Sequence, residues 1–541
     1  MKFKSEQTAD KLRGGYYTPQ NLADYIVKWT IQDSSNSVLE PSCGDGVFIQ
    51  ALNNANIDKK IKISAFEIVD EEAEKSKLRS VALGFKNTNI VNSDFLSWAN
   101  EEVFEGSTKF SCVVGNPPFI RYQFLEPFFQ KQAELIFKRL ELKFTKHTNA
   151  WVSFVLASIE ALENGGRLGM IIPSEIIHVT HARPLREYLE KTCTKILIID
   201  PKEIWFEGTL QGAVMIFAEK KSSPNSVFQG IGIYQVQGLD FLNIDPDELF
   251  INTNKIASET ASGKWTKGLL TNEEWLLVSR ATSHKDVHQF TDIARVDVGI
   301  VTGANAFFLV NDDTVEKYNL HQYSYPMFGR SQHCKGVIYD DQQHKSNKDN
   351  GLPTNFLYIT EDFDDLSEDV QEYIEVGEGQ ELHNRYKCRI RKPWYKVPSV
   401  YTTNLGMLKR CHEFPRLIFN EIEAYTTDTA YRIRTELSPE LLTYCFINPL
   451  TAITAELEGR SYGGGVLELV PSEIEKIYIP LPESLDYDIS ELNKNIKAGN
   501  LESVLKSQGD KIFKALGFTQ EEGDKLFNIW QKLKGRRLRT S

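Results

Sequence analysis

The chain has 541 residues, 41% hydrophobic and 25% charged, with a formal net charge of −12. That length exceeds what one core holds and predicts about two to four domains of ordinary globular composition. The acidic balance does not announce a nucleic-acid binder, although a net value averages over faces of opposite sign. Residues 1–20 lack the apolar core of a secretory signal, and no apolar run is long enough to span a bilayer. The seven cysteines are scattered, without C-x-x-C pairs or Cys/His clusters. This predicts a reducing, cytoplasmic setting with no membrane, no structural metal and no disulfide framework.

Along the first 220 residues, short β-rich runs occur at 37–39, 61–66, 88–91, 111–115, 167–172, 195–200 and 212–218. Helical patterns at 20–31, 70–82, 149–163 and 182–191 separate several of them. The alternation predicts an α/β domain with a mostly parallel sheet, Rossmann-like, and ligands beyond the carboxyl ends of its strands. The first strand runs into VLEPSCGDGVF (38–48), where Gly44 and Gly46 allow a tight turn and close backbone approach to a ligand. The spacing is not G-x-G-x-x-G, and Glu40 and Asp45 would repel a pyrophosphate. An amino or sulfonium group suits this turn better. The second strand ends in Glu67, 23 residues after Gly44, where such folds place a carboxylate for ribose hydroxyls. After the third comes NSDFLSW, with Asp94 to accept from an exocyclic amine and Phe95 to lie against a purine. Singly these carboxylates read as loop acids or helix caps. Together they describe a nucleoside pocket without phosphates, and S-adenosylmethionine is the candidate cofactor.

The fourth strand ends in Asn116-Pro117-Pro118-Phe119. A rigid turn explains the prolines, which cannot donate to a ladder, but not the amide and the ring. Chemistry explains all four. The Asn116 amide oxygen and the Pro117 carbonyl could accept both hydrogens of an aromatic amine, localising a lone pair that is otherwise delocalised. The prolines hold these acceptors in place, and Phe119 offers a stacking face.

These residues resemble the gamma-class N6-adenine DNA methyltransferases, of the kind found in type II restriction-modification systems. GGYYTPQNLADYIV (14–27) is similar to that family's first motif, EPSCGDGVF to its glycine-rich motif, NPPF to its catalytic tetrapeptide and GGRLGMIIPSEIIH (165–178) to its fifth-strand motif. The resemblance implies cofactor contacts from Tyr17, Thr18, Pro19, Glu40, Ser42, Cys43, Gly44, Glu67, Ile68, Asp94, Phe95 and Asn116. It implies a target adenine flipped from duplex DNA, direct displacement at the sulfonium methyl, and stacking of the base on Phe119 and Phe206. Departures are Phe119 in place of the commoner Tyr and one variant of the glycine turn. Two rivals stand beside this reading. A protein glutamine-N5 methyltransferase shares the Asn-Pro-Pro-aromatic motif but not the Tyr-Thr-Pro opening or so large a C-terminal region. A non-catalytic DNA-recognition protein with this fold would have no need of Asn116.

EKKSSPNS (219–226) reads as a linker, which predicts a catalytic domain over 1–220 and a mixed α/β target-recognition region over 221–541, the last part (484–541) a helical tail. Segments 296–310 and 458–482 resemble parts of recognition regions, and Gly463-Gly464-Gly465 reads equally as a phosphate approach or a flexible turn. Residues 361–381 hold ten acids and no Lys or Arg, whereas RYKCRIRKPWYK (385–396) holds six bases and no acid. Against a merely solvated face, the interleaved Tyr386, Trp394 and Tyr395 favour DNA contact through Arg385, Lys387, Arg389, Arg391, Lys392 and Lys396. The basic end KLKGRRLR (532–539) reads as a disordered terminus. Neither end holds a D…E-x-K nuclease constellation, so any restriction endonuclease is expected to be a separate partner.

Overall fold

The computed structural model describes residues 17–120, 122–146, 148–205, 212–256, 263–462 and 464–539. The chain forms two compact units. The first comprises Met1–Asn272 with Arg539–Ser541, the second Glu273–Leu538.

The first unit is built on a nine-stranded sheet in the order β3-β2-β1-β4-β5-β7-β6-β8-β9. Its strands are β1 Ser37–Glu40, β2 Lys62–Glu67, β3 Asn87–Asn92, β4 Phe110–Gly115, β5 Leu162–Pro173, β6 Cys193–Pro201, β7 Ala213–Lys220, β8 Ile231–Val236 and β9 Lys255–Ile256. All run parallel except β7, antiparallel to both β5 and β6, and β9, antiparallel to β8. The helices that position the site are α1 Gln20–Thr30, α2 Val47–Asn54, α3 Asp70–Ala82, α4 Phe95–Trp98, α5 Pro127–Arg139, α6 Ala150–Ala161 and α7 Arg183–Thr192. Every residue of β1 and the first six of β7 are buried, as strands covered on both faces must be. The strand order reverses between β1 and β4, which opens a crevice at their carboxyl ends.

The expected boundary at 220 falls inside this unit. Beyond Lys220 the chain turns through SSPN and returns as β8, paired in parallel with β6 from Ile196↔Ile231 to Pro201↔Val236. Helix α8 (Pro246–Ile251) follows, and Asp247 within it pairs with Lys195 at 2.7 Å. A polar, proline-bearing stretch here marks a turn at a sheet end and not a linker.

The second unit contains a five-stranded sheet of β10 (Ala294–Val298), β11 (Ile338–Tyr339), β12 (Leu405–Leu408), β13 (Leu417–Asn420) and β14 (Ala430–Thr435), in the order β10-β14-β12-β13-β11. A separate apolar cluster gathers Phe307, Phe308, Tyr373, Ile374, Trp394 and Tyr395. The acidic stretch folds as α9 (Glu368–Gly379) and the basic run begins as α10 (Tyr386–Arg389). The last residues are three packed helices, α11 (Ile489–Lys497), α12 (Leu501–Ala515) and α13 (Gln520–Leu538). The basic end is therefore ordered helix within the core. Lys534 is buried between Glu413 and Glu502, and Arg537 pairs with Glu456 at 2.8 Å. Arg537 also donates to the Gly465 carbonyl, and a Cβ on Gly465 would sit 2.6 Å from Leu538, so Gly465 serves close packing. Gly463 lies outside the described residues. No described helix is long and apolar enough to cross a membrane, and no described cluster of His, Cys, Asp or Glu could hold a metal.

Candidate active site

The carboxyl ends of β1, β2 and β4 converge on one turn. After Glu40 the chain passes Pro41, Ser42 and Cys43 and enters α2 through Gly44 (φ +50°) and Gly46 (φ +86°). The turn is tied to its neighbours by backbone bonds: Cys43 N donates to the Phe66 carbonyl at 2.9 Å and Gly46 N to the Cys43 carbonyl at 2.8 Å. A Cβ on Gly46 would lie 2.7 Å from Ser76 Oγ of α3, so glycine is required both by φ and by space. Burial pushes the Cys43 thiol pKa up, leaving an inert, space-filling group.

Glu67 is clamped. Its Oε2 accepts from Gly44 N at 3.0 Å and its Oε1 from Val69 N at 2.9 Å. The carboxylate is thus preset, with lone pairs left over for a diol. Next to it Ile68 is 55% exposed, an aliphatic face at the end of β2. Glu40 is only 2% exposed, and its Oε1 has no hydrogen-bond partner among the described residues. Burial, reinforced by the Asp45 and Glu67 charges, raises its pKa well above the ordinary carboxylate range. A buried carboxylate with an orphaned oxygen is the donor set that an ammonium group completes. Asp45 faces Arg79 of α3 at 3.0 Å, so its charge is partly offset.

Asp94 caps α4, its Oδ2 accepting from Ser97 N at 2.8 Å and Ser97 Oγ at 2.7 Å. Both the capping and the ligand readings of this residue are therefore compatible, one oxygen each. Phe95 differs from expectation. Its side chain is 2% exposed, packed among Phe66, Trp98 and Phe154 with ring centroids at 5.4–5.9 Å. It is a core residue, and the exposed aliphatic face beside Glu67 belongs to Ile68.

The tetrapeptide leaves β4 at the crevice. Asn116 Nδ2 donates to Thr18 Oγ1 at 3.2 Å, and the Asn116 carbonyl accepts from Ser42 Oγ at 3.0 Å. Thr18 is itself buried and precedes Pro19, which opens α1. Three motifs far apart in sequence thus meet at one amide, and spending Nδ2 on Thr18 points the oxygen of Asn116 elsewhere as an acceptor. Sequence reading assigned Thr18 to the cofactor alone and missed this contact, which no spacing rule reveals. Pro117 is buried, and Phe119 is half-buried against the apolar cluster that holds Val114 and Ile171. Tyr17 is 65% exposed, and partial desolvation of its hydroxyl together with the neighbouring Glu72 carboxylate raises its pKa. Trp205 stacks on Phe241 at 5.9 Å and 21°, a structural lid. Phe206 lies outside the described residues.

The basic run of the second unit divides. Arg391 Nη1 donates to the Thr302 carbonyl at 2.7 Å and Nη2 to the Val301 carbonyl. Lys396 pairs with Asp362 at 2.7 Å, Trp394 Nε1 donates to Glu378 at 2.9 Å, and Trp394 and Tyr395 are core residues. These belong to the fold, contrary to the expectation that the whole run faces DNA. Arg385, Lys387, Arg389 and Lys392 are exposed, and the Arg389 guanidinium lies 5.6 Å from the ring of Tyr386.

Strand order, the preset Glu67 carboxylate, the orphaned Glu40 and the NPPF loop fit an S-adenosylmethionine-dependent methyltransferase. Residues 3–255 match the family model described as N-6 DNA Methylase, and residues 262–513 the one described as the C-terminal domain of type II methyltransferase M.Eco57I. Together the two matches span residues 3–513 apart from 256–261. It is 25% identical over 535 residues to type II methyltransferase M.AccI of Acinetobacter calcoaceticus, covering 96% of this chain and 92% of that one. It is 25% identical to M.BstVI of Geobacillus stearothermophilus over 57% of this chain and 62% of that protein. Among solved structures, the DrdV–DNA complex shares the fold at TM-score 0.51 and 12% identity, over 84% of this chain and 55% of that one.

Proposed function

We propose that this protein methylates the N6 amine of an adenine flipped out of double-stranded DNA at a specific sequence. The observation that carries the reading is the Asn116 amide, anchored by Thr18 on one side and by Ser42 through its carbonyl on the other. Glu40 would hold the ammonium of S-adenosylmethionine, Glu67 its ribose diol, Ile68 and Asp94 its adenine, with Tyr17, Thr18, Pro19, Ser42, Cys43 and Gly44 around it. When bound, the cofactor supplies an electrophilic methyl group. Asn116 Oδ1 and the Pro117 carbonyl accept the two amine hydrogens, so that the nitrogen lone pair leaves conjugation with the ring. Pro117 and Pro118 fix these acceptors before the base arrives, which removes the reorganisation that water would need. Phe119, and Phe206 by its place in the motif pattern, stack on the base. Transfer would form a nitrogen–carbon bond as the carbon–sulfur bond breaks, and the nitrogen, acidic once it carries the methyl, would then release one proton to water. No dedicated base is required.

DNA contact in the second unit falls to Arg385, Lys387, Arg389 and Lys392, carried on an element that Arg391 ties to the 301–302 loop. A separate restriction endonuclease acting at the same sequence is the partner this role implies. The test is product analysis: DNA from cells with and without the gene is mapped for modified bases. The reading requires N6-methyladenine in one sequence context only where the gene is present. Methylated glutamine in protein, or unmodified DNA, would sink it.

A further inference from the structure

Helix α10 (Tyr386–Arg389) carries an exposed apolar face. Tyr386 is 64% exposed and Ile390 61%. Ile390 follows the helix with helical backbone angles (φ −83°, ψ −4°), so the turn continues through it and the two side chains share one face. The opposite face is anchored. Cys388 is fully buried and its thiol donates to the Thr302 carbonyl, which Arg391 Nη1 also reaches at 2.7 Å. A Cβ on Gly303 would lie 2.7 Å from Lys387 Cβ and 3.2 Å from Cys388 Sγ, so the 301–303 loop presses directly against the helix. Val301, whose carbonyl accepts from Arg391, is itself 36% exposed. Exposed apolar side chains scattered singly are ordinary on a protein surface. A tyrosine and an isoleucine held out side by side on an anchored turn mark a contact surface.

Charge and shape choose the partner. Around the two tips stand Arg385, Lys387, Arg389 and Lys392, all exposed, and no Asp or Glu occurs between Leu382 and Val400. Lys387 Nζ and Arg389 Cζ each lie 5.6 Å from the centre of the Tyr386 ring, so cations flank the apolar face itself. Glu381, the nearest acid in the chain, precedes the helix, and Glu378 accepts from Trp394 Nε1. Such a surface fits a polyanion that shows an apolar group between its charges. A duplex does so in its major groove, which admits a helix and displays the C5 methyl of thymine between two rows of phosphate. The minor groove displays no such methyl. We propose that Tyr386 and Ile390 pack on a thymine methyl in the major groove and so read one base pair of the recognition sequence, while the surrounding basic side chains hold the phosphates on either side. This rests on the DNA reading above and adds to it the residues that tell one sequence from another.

The experiment uses the full-length protein and duplexes carrying the sequence that base mapping supplies, with each thymine replaced in turn by deoxyuridine. The exchange removes one methyl group and keeps every hydrogen bond of the pair. For the wild type, kcat/KM should fall roughly fivefold at one position or more. Ile390→Ala and Tyr386→Ala should each lose roughly tenfold on the thymine duplex. At one sensitive position deoxyuridine should cost these variants nothing further, because the contact is already gone. Thermal stability and the salt dependence of binding to unrelated DNA should match the wild type, since neither side chain is buried or charged. Indifference of the wild type to deoxyuridine at every thymine would overturn the proposal. So would losses that multiply at every sensitive position, which would put both side chains away from any methyl. Binding of phosphatidylserine vesicles through this face, with methylation by the variants unaffected, would overturn it as well. Product analysis on the wild type tells the two readings apart: DNA without N6-methyladenine sinks the function proposed above, whereas N6-methyladenine with no deoxyuridine effect sinks only this one.

Discussion

The two units treat sequence distance in opposite ways. In the first, Thr18, Ser42 and Asn116 are scattered over about a hundred positions, yet they meet through side-chain and backbone bonds of 3.0–3.2 Å, and Glu67 bonds Gly44 beside them at 3.0 Å. In the second, twelve adjacent residues with six bases are pulled apart, some into core ties and some into solvent. Parallel strands deliver their ends to one edge, so remote residues converge there. A short helix followed by a packed irregular segment alternates its faces, so neighbours diverge.

The largest expected effect tests convergence. Asn116→Ala should lower the methylation rate by roughly 10²–10³, while cofactor affinity, measured by calorimetry, changes little. A rate near wild type would remove the amide from the chemistry. Divergence is tested by comparing neighbours. Arg391→Ala should destabilise the protein by about 2 kcal/mol, read in urea, because two carbonyls lose a charged donor. Arg385→Ala, Arg389→Ala and Lys392→Ala should leave stability unchanged. Combined, they should reduce the slope of log K against log salt by about 0.9 for each phosphate they no longer neutralise. If Arg391 and its neighbours behave alike, the division is false.

Glu40 offers a pH test. Its folded-state pKa is raised, so the stability it contributes is full below the unfolded value, about 4.3, and declines as pH rises toward the folded value. The wild type without cofactor should therefore lose stability relative to Glu40→Gln as pH climbs above about 4. Cofactor affinity should move the other way and be weakened by the substitution. Parallel stability curves would mean that the carboxyl is not buried as described. The smallest effect belongs to Thr18→Val, which removes one neutral hydrogen bond to Asn116 and should cost roughly three- to tenfold in rate. In the Asn116→Ala background it should cost nothing more, since the bond is already gone.

How much of this was legible in the sequence follows the same division. All seven strands of the catalytic unit that short β-rich runs marked are present, the antiparallel β7 and the unburied β3 among them, because strand-forming residues bounded by turn signals write themselves as short runs. Glu40, Glu67, Asp94 and Asn116 were legible as strand-end polar residues. Phe95 was misread, since an aromatic next to a strand-end acid looks the same in sequence whether it lines a pocket or fills the core. The Thr18–Asn116 contact, 98 positions apart, leaves no local trace. The boundary near 220 failed because a turn within a sheet and a linker between domains share one composition. Charge runs were the poorest guide, since Asp362 and Glu378 of the acidic stretch turn out to pair with Lys396 and Trp394 of the basic one.

Strand β7 lies antiparallel between β5 and β6, so the connection from Pro201 to Ala213 is a hairpin link at the carboxyl end of β6, the same edge of the sheet as the NPPF loop. Hairpin links lengthen or shorten without rethreading a helix crossover. On the cofactor side the Gly44 turn is fixed instead by Glu67, Phe66 and Ser76, and an added residue there would break all three. The fold therefore separates a turn that its contacts hold at one length from a connection whose length the two antiparallel strands leave free.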